Sequence, residues 1–483
     1  MPFSNIIKRL QDIMRTDSGI NGDAQRMEQI VWILFLKIYD DMQQKWEMKG
    51  NFKPILEERF FWRNWALDNN DGNALSGEEL LNFVNNELFP TLKNLEINER
   101  TPKNQVILKT AFEDVNNYSK DGILLRKVIN EINKIDFNQY KERHAFGEIY
   151  ETFLKTLQSA KNAGEFYTPR ALTDFIVEVV EPKLGESIAD LACGTGGFLV
   201  SSLKYLDPFI KSSKDRELYQ QAVFGIEKKS LPTLLCMTNL LIHDIEVPNI
   251  SHDNSLACFD TTLKERTFDI ILMNPPFGGD EESSVKNAFP KALQSSESAD
   301  LFMVLILNCL KNRGAVILPD GFLFSNGNAQ IEIKKKLLKE CNLSTIIRLP
   351  KSIFAPYTSI ATNILFFDKS KETKETWFYR LDMPEGYKNF SKTKPMKLEH
   401  FKPCFEWLKN KCEIKEGDFY KAKKVSLQEI IDNNYNLDIC SFPIISEEIL
   451  EPNTLITNFL SELDKNNKEL KTNLEKILNE LNA

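Results

Sequence analysis

The spacing of apolar residues changes character along this chain. Residues 29–39 (QIVWILFLKIY) are apolar nearly all round, the pattern of a buried helix. The region from residue 1 to about 145 reads as helical, with a turn at Asn69, Asn70, Asp71, Gly72 and Asn73. From residue 187 onward, short apolar runs bounded by glycine, proline and acids take over. Residues 187–192, 222–227, 249–252 and 268–273 each have the length of a buried parallel strand. Residues 300–320 read as a buried helix, a stop at Gly314 and a further strand ending at Pro319 and Asp320. Residues 343–349 and 360–367 read as two more strands, and residues 144–157 as the link between the helical region and the strand-bearing one. Strands alternating with helices predict a doubly wound α/β sheet, and periodicity alone carries the reading no further.

The strand ends carry the chemistry. The run Phe268 to Met273 is followed by Asn274, Pro275, Pro276 and Phe277. Two prolines make a stiff extended ledge at a strand's carboxyl end, where open α/β sheets bind ligands. Asn274 Oδ1 and the Pro275 carbonyl can accept the two hydrogens of an exocyclic amine, and Phe277 can stack on the ring that bears it. Upstream, the strand of residues 187–192, which carries Asp190 and Ala192, leads through Cys193, Gly194, Thr195, Gly196 and Gly197 into an apolar helix. Such a turn lets backbone approach a cofactor closely. The next strand ends at Glu227, a carboxylate suited to ribose hydroxyls, and the third at Asp253 and Asn254, polar groups able to read an adenine edge. Thr168 is a good N-cap and Pro169 a good first helical residue for a helix with Leu172, Phe175, Ile176, Val179 and Val180 on one face. The amino end of that helix suits an anionic group.

With these residues in view, the sequence resembles the amino-methylating, S-adenosylmethionine-dependent DNA methyltransferases. Their FxGxG-like motif stands here as Ala192-Cys193-Gly194-Thr195-Gly196, and their (N/D)PP(Y/F) motif as Asn274-Pro275-Pro276-Phe277. Many relatives carry Pro or Phe where Ala192 stands. Glu165, Phe166, Tyr167, Thr168, Pro169 and Arg170 resemble the cofactor-contacting segment of the modification subunit of type I restriction–modification systems. The resemblance implies a class I S-adenosylmethionine-dependent methyltransferase fold: a seven-stranded, mostly parallel, Rossmann-like sheet with a reversed edge hairpin. It adds an all-helical N-terminal domain and a C-terminal helix. The implied domains are residues 1–145, residues 146–450 for catalysis, and residues 451–483 for docking a partner subunit. The cofactor residues it implies are Glu165 to Arg170, Asp190, Ala192, Gly194, Thr195, Gly196, Gly197, Glu227, Asp253 and Asn254; Asn274 to Phe277 are the catalytic ones.

The implied reaction is methylation of adenine N6 in double-stranded DNA, with the base out of the duplex and the amine attacking in line. The implied partners are DNA, a DNA-sequence-specificity subunit and a second copy of this chain. Whether a motor–nuclease restriction subunit also binds stays open. An amino-methyltransferase for protein glutamine or RNA would share the ledge. A scaffold of the same fold would have no chemical need for Asn274 or Glu227.

Composition limits these readings. A chain of 483 residues is too long for one core. Its net charge of −8 argues against holding DNA by overall charge, so local basic patches or a basic partner are needed. Lys334, Lys335, Lys336 and Lys339 read as a solvated helix face, with a local basic patch as the alternative. The eight Cys are scattered without a CxxC pair and the four His form no ligand pair, so reduced thiols in a cytoplasm and no metal site are expected. Cys193 is expected to pack rather than react. No signal peptide is read at the start, and the longest apolar run, residues 301–310, falls short of the roughly 20 residues a membrane span needs. After a break at Glu451 to Thr454, the residues Ile456, Phe459, Leu460, Leu463, Leu470, Leu474, Ile477, Leu478 and Leu481 form a helical stripe. Its spacing suits pairing with a partner's helices or packing on its own domain.

Overall fold

The computed structural model describes residues 4–50, 52–68, 74–137, 140–155, 167–355, 357–391, 393–442 and 452–481. The turn expected at Asn69 to Asn73, and Glu165 and Phe166, lie outside them. The chain forms two compact units, Met1–Ser441 and Phe442–Ala483.

The first unit is built on one sheet. Its strands are β1 Ile188–Asp190, β2 Val223–Glu227, β3 Ile250–His252, β4 Phe268–Met273, β5 Leu310–Pro319, β6 Asn342–Arg348, β7 Thr362–Asp368, β8 Glu375–Arg380, β9 Ile414–Glu416 and β10 Phe419–Ser426. They lie in the order β3-β2-β1-β4-β5-β7-β6-β8-β10-β9. From β3 to β5 every pairing is parallel, and β7 runs antiparallel to both β5 and β6. These seven strands form the mostly parallel sheet with a reversed hairpin that the resemblance implies. The sheet does not end there: β8 adds parallel to β6, and β10 and β9 follow antiparallel, giving ten strands. Both outer strands are short, and β10 carries a register shift between Tyr420 and Ala422.

Alternation along each strand sends side chains into two cores, one on each face. In β4, Ile270 and Leu272 enter one core and Ile271 and Met273 the other. The first core also takes the N-terminal helices. The helix Gly22–Met48 is buried nearly all round from Met27 to Gln43, as its composition predicts. It packs against the helix Ser230–Ile242, which lies over the sheet, and so does the helix Tyr140–Lys155. The helical region and the sheet therefore share a core within one compact unit. The second core is covered by the helices Ser298–Cys309 and Asn328–Glu340.

Two local expectations are corrected. Gly314 is not a helix stop: the helix ends at Cys309, and Gly314 sits inside β5, paired with Ile271 of β4. Nor is the lysine cluster a fully solvated helix face or an open basic patch. Lys334 is fully buried, and its Nζ donates to the carbonyls of Leu323 and Ser325 at 2.7 Å each. Burial pushes it down to about 8. Lys335 and Lys336 pair with Glu332 and Glu340 on the same helix. No helix among the described residues is long and apolar enough to cross a membrane.

Candidate active site

A pocket opens at the carboxyl ends of β1 to β4. It is lined by Leu191, Ala192, Gly194, Glu227, Lys228, Lys229, Asp253, Asn254, Ser255, Asn274, Pro276, Glu281 and Phe302. The turn after β1 forms one wall. Gly196 adopts φ +79°, and a Cβ there would sit 2.8 Å from Cys236 Sγ. Only glycine fits that bend with that neighbour. Cys193 is buried, its Sγ 3.8 Å from that of Cys236. Asp190 does not line the pocket. It lies buried beneath the turn and accepts from Ala192 N at 3.2 Å. Burial, with Glu227 nearby, pushes its carboxyl up to about 8.

Glu227, at the end of β2, is fixed by two backbone donors, Gly194 N at 3.0 Å and Lys229 N at 2.9 Å. Burial raises its pKa, while those N–H groups pull the other way. Past β3, Asp253 Oδ1 accepts from Asn254 N at 2.7 Å, and the Cys258 thiol reaches its Oδ2 at 3.2 Å. Asn254 Oδ1 accepts from Leu256 N at 3.1 Å.

The ledge after β4 is where the site becomes chemically specific. Asn274 Nδ2 donates to Thr168 Oγ1 at 3.1 Å, and its Oδ1 is buried with no partner. A buried unpaired acceptor costs free energy unless something donates to it, so Oδ1 is a vacant place for an N–H donor. Pro275 is buried and Pro276 faces the pocket. Phe277 is half-buried, and its ring meets Phe354 edge-on at 5.8 Å. Thr168 is thus occupied by Asn274 and does not cap the helix. That helix is Arg170–Val180, with Pro169 at its N-cap. Tyr167 is buried, its hydroxyl without a partner and its ring 5.1 Å from the Arg170 guanidinium.

Arg170 faces a buried carboxylate. It forms a two-pronged ion pair with Glu151 of the helix Tyr140–Lys155, the Nη2 prong at 3.0 Å. A Cβ on Gly197 would lie 2.3 Å from Arg170 Nη1, so this glycine makes room for the guanidinium. Asn239 Nδ2 joins Glu151 Oε1 to the Thr195 carbonyl, both at 3.1 Å. Burial opposes the Glu151 carboxylate, but Arg170 outweighs it and holds its pKa low. The glycine turn and the Tyr167 to Arg170 segment are thereby joined through residues outside any motif. Glu151 and Asn239 gave no sequence signal: their polar partners lie 19 and 44 to 88 residues away.

Next to this network, His243 Nδ1 donates to the Asn239 carbonyl at 2.8 Å. Burial, helped by Lys204, pushes His243 down to about 4. Between about pH 6.5 and that value the unfolded chain binds more protons than the folded one. The stability from the neutral ring is therefore complete above about pH 6.5 and is lost as pH falls toward 4. His243→Asn is expected to flatten this acid limb by about 1–2 kcal/mol, read as melting temperature against pH for both chains.

Among known proteins, the N-6 DNA methylase family profile matches residues 141–449 and the HsdM N-terminal domain profile matches residues 3–132. The chain belongs to the N-6 DNA methylase family. Within that family it is 49% identical over 471 residues to the type I restriction enzyme EcoEI methylase subunit of Escherichia coli, covering 96% of this chain and 95% of that one. Among solved structures, a protein assigned as the modification subunit of a type I restriction enzyme from Vibrio vulnificus YJ016 superposes with TM-score 0.76. It is 40% identical, over 89% of this chain and 93% of that one. A chain from a study of complex assembly and conformational transition of the type I R-M system gives TM-score 0.81 at 31% identity, over 99% and 98%. This N-6 DNA methylase is thus one of the type I modification subunits.

Of the residues singled out from the family motifs, Ala192, Gly194, Glu227, Asp253, Asn254, Asn274 and Pro276 meet in one pocket. Asp190, Thr195, Gly196, Gly197, Tyr167, Thr168, Pro169, Arg170, Pro275 and Phe277 lie behind or beside it. Sequence reasoning missed Leu191, Lys228, Lys229, Ser255, Glu281 and Phe302, which also line it. Lys228 and Lys229 follow Glu227, and Ser255 follows Asn254, so adjacency was a local signal for these; Glu281 and Phe302 had none. Among the described residues, no group of three His, Cys, Asp or Glu is placed to hold a metal.

Proposed function

We propose that this chain methylates N6 of adenine in double-stranded DNA, using S-adenosylmethionine, as the cytoplasmic modification subunit of a type I restriction–modification complex. The observation that carries the reading is the buried, unpartnered Oδ1 of Asn274, in the same pocket as the strand-end carboxylate Glu227. A flipped adenine offers amine hydrogens to the first. A cofactor ribose offers hydroxyls to the second. S-Adenosylmethionine, when bound, supplies an electrophilic methyl group on sulfur.

The residues' work is placement. Thr168 fixes which end of the Asn274 amide faces the pocket, because Nδ2 is already engaged. Oδ1 and the neighbouring Pro275 carbonyl then hold the amine so that its lone pair is free to attack. The Glu151–Arg170–Asn239 network keeps the glycine turn and the Tyr167 to Arg170 segment in register. Residues 146–450 are the catalytic part and residues 1–145 help to enclose DNA. Residues 451–483 dock on a sequence-specificity subunit, in a complex with two copies of this chain. Coexpression with a specificity subunit, followed by sequencing of the DNA for N6-methyladenine, tests the reading; unmodified DNA from assembled complexes would refute it.

Glu227 gives a separate check on the cofactor half. Charge-assisted hydrogen bonds are worth roughly 1.5–3 kcal/mol each, and roughly 1.4 kcal/mol is one decade of affinity. Glu227→Ala is therefore expected to weaken S-adenosylmethionine binding at least about tenfold by calorimetry. Unchanged affinity would return Glu227 to a purely turn-capping role.

A further inference from the structure

An acidic chain that acts on DNA needs a local cationic surface, and the helix bearing Lys334 does not supply one. Strand direction points to where one is built. β4 is parallel to β5, β7 reverses against both β5 and β6, and β8 is parallel to β6, so β4, β6 and β8 run the same way. The loops that follow β6 and β8 therefore rise at the same end of the sheet as the Asn274 ledge. The first of them carries Lys351, Ser352 and Phe354, and the Phe354 ring meets Phe277 of the ledge. The second is tied to the first: Phe390 N donates to Ser352 Oγ at 2.9 Å, and Leu381 N to the Arg348 carbonyl at 2.9 Å. Phe390 is buried and stacks on His400 at 5.6 Å, and Tyr387 meets His400 edge-on at 5.2 Å. These rings hold the loop in one shape.

Three lysines stand on that frame. Lys351 precedes Ser352, and Lys388 lies two residues before Phe390. Lys394 closes a turn in which its N–H donates to Ser391 Oγ at 3.1 Å and its carbonyl accepts from Ser391 N at 3.0 Å. All three are exposed. Among the described residues none of them forms an ion pair, whereas Lys397 and Lys402 pair with Glu399 and Glu406. Lys394 Nζ lies 5.7 Å from the centre of the Tyr387 ring, a contact that leaves its charge uncancelled. Cations without carboxylate partners, interleaved with aromatic rings, suit a phosphate backbone. β8 lies four strand steps from β4, about 19 Å at roughly 4.8 Å per step. That distance is about half a turn of duplex.

We propose that Lys351, Lys388 and Lys394 grip backbone phosphates of the DNA beside the target adenine, holding the duplex so that the extruded base reaches the ledge. The inference rests on the reading of this chain as a DNA methyltransferase and adds the surface that holds its substrate. Contacts to phosphate position a duplex without reading its sequence, so the three act as positioning residues and leave the choice of site to the partner.

The test uses the complex assembled with its specificity subunit, wild type against a variant carrying Lys351→Gln, Lys388→Gln and Lys394→Gln together. Binding is measured against salt with target and non-target duplexes. Three lost phosphate contacts are expected to flatten the slope of log K against log salt by roughly 2.7, at about 0.9 per contact, and to weaken both duplexes at least about tenfold at about 0.1 M salt. The KM for DNA is expected to rise while kcat at saturating DNA stays within about threefold of wild type, with melting temperature and S-adenosylmethionine affinity unchanged. Arg at all three positions keeps the charge and is expected to restore the slope. An unchanged slope in the Gln variant would overturn the proposal. So would a loss confined to the target duplex, or a fall in kcat with KM unchanged. If the wild-type complex neither bound nor methylated DNA, the proposed function would fail and this inference with it; a wild type that methylates beside a Gln variant with its slope intact would sink this inference alone.

Discussion

Asn274→Ala is expected to stop methyl transfer while S-adenosylmethionine affinity stays close to wild type. Among the ledge's side chains, the Asn274 amide carries an acceptor that is both buried and unpartnered. Removing a placed polar group from such a site costs about 10²–10³ in rate where it meets charge developing in the transition state, and a loss of at least about 10² is expected here. Cofactor binding is spared because Glu227 and the glycine turn do not depend on Asn274 for any hydrogen bond. Asn274→Asp keeps an acceptor in place and is expected to keep part of the activity. Single-turnover methylation by the assembled complex, paired with calorimetry on the isolated chain, separates the two effects. Near-normal turnover in Asn274→Ala would remove the central claim.

The second large effect is expected from the tail. The helix Pro452–Leu481 exposes Ile456, Phe459, Leu460, Leu463, Leu470, Leu474 and Leu478 along one stripe, with Phe459 63% and Leu470 64% accessible. The side chains of Ile477 and Leu481 lie outside the described residues. Burying seven such side chains against a partner removes several hundred Å² of apolar surface from water, at about 25 cal/mol per Å². Part of that gain is offset by lost freedom on association. Deleting residues 453–483 is therefore expected to prevent stable copurification with the specificity subunit while leaving cofactor affinity and the melting transition of residues 1–441 in place. The full-length chain alone is expected to methylate DNA poorly and without sequence choice. Robust site-specific methylation by the isolated chain would point to a self-contained enzyme. Unfolding of the truncated chain would mean that the stripe belongs to its own core.

What could be read from the residues, and what could not, follows the range of the forces involved. β4 runs from Phe268 to Met273 as its apolar run predicts, and β1, β2 and β3 end at Asp190, Glu227 and His252. Period and punctuation are local signals. Strands β8 and β10 escaped because ETWFYR and FYKAKKVS mix charge with aromatics; only a neighbouring strand makes them sheet. Gly314 was misjudged because a glycine inside a crowded sheet and a glycine ending a helix look alike without their neighbours. Thr168 has the chemistry of a cap, yet its hydroxyl serves an amide 106 residues away. Glu281 sits in the run Gly278-Gly279-Asp280-Glu281-Glu282, which reads as an ordinary solvated loop until Asn254 and Lys228 are placed opposite it.

The two ends of the long sheet bear on how this protein behaves at high concentration. An open sheet invites a second copy to add its own strand wherever a row of free N–H and C=O groups is long and flat. Here one border is Ile250–His252, three residues, with His252 turned toward Glu113 at 3.3 Å. The other is Ile414–Glu416, also three residues, charged at Lys415 and Glu416 and paired with β10 across a register shift. Neither border is long enough to template another chain, and the charge and twist at β9 oppose flat stacking. A ten-stranded sheet can therefore stay open-ended without becoming a seed for fibrils, and association is left to surfaces other than its strand edges.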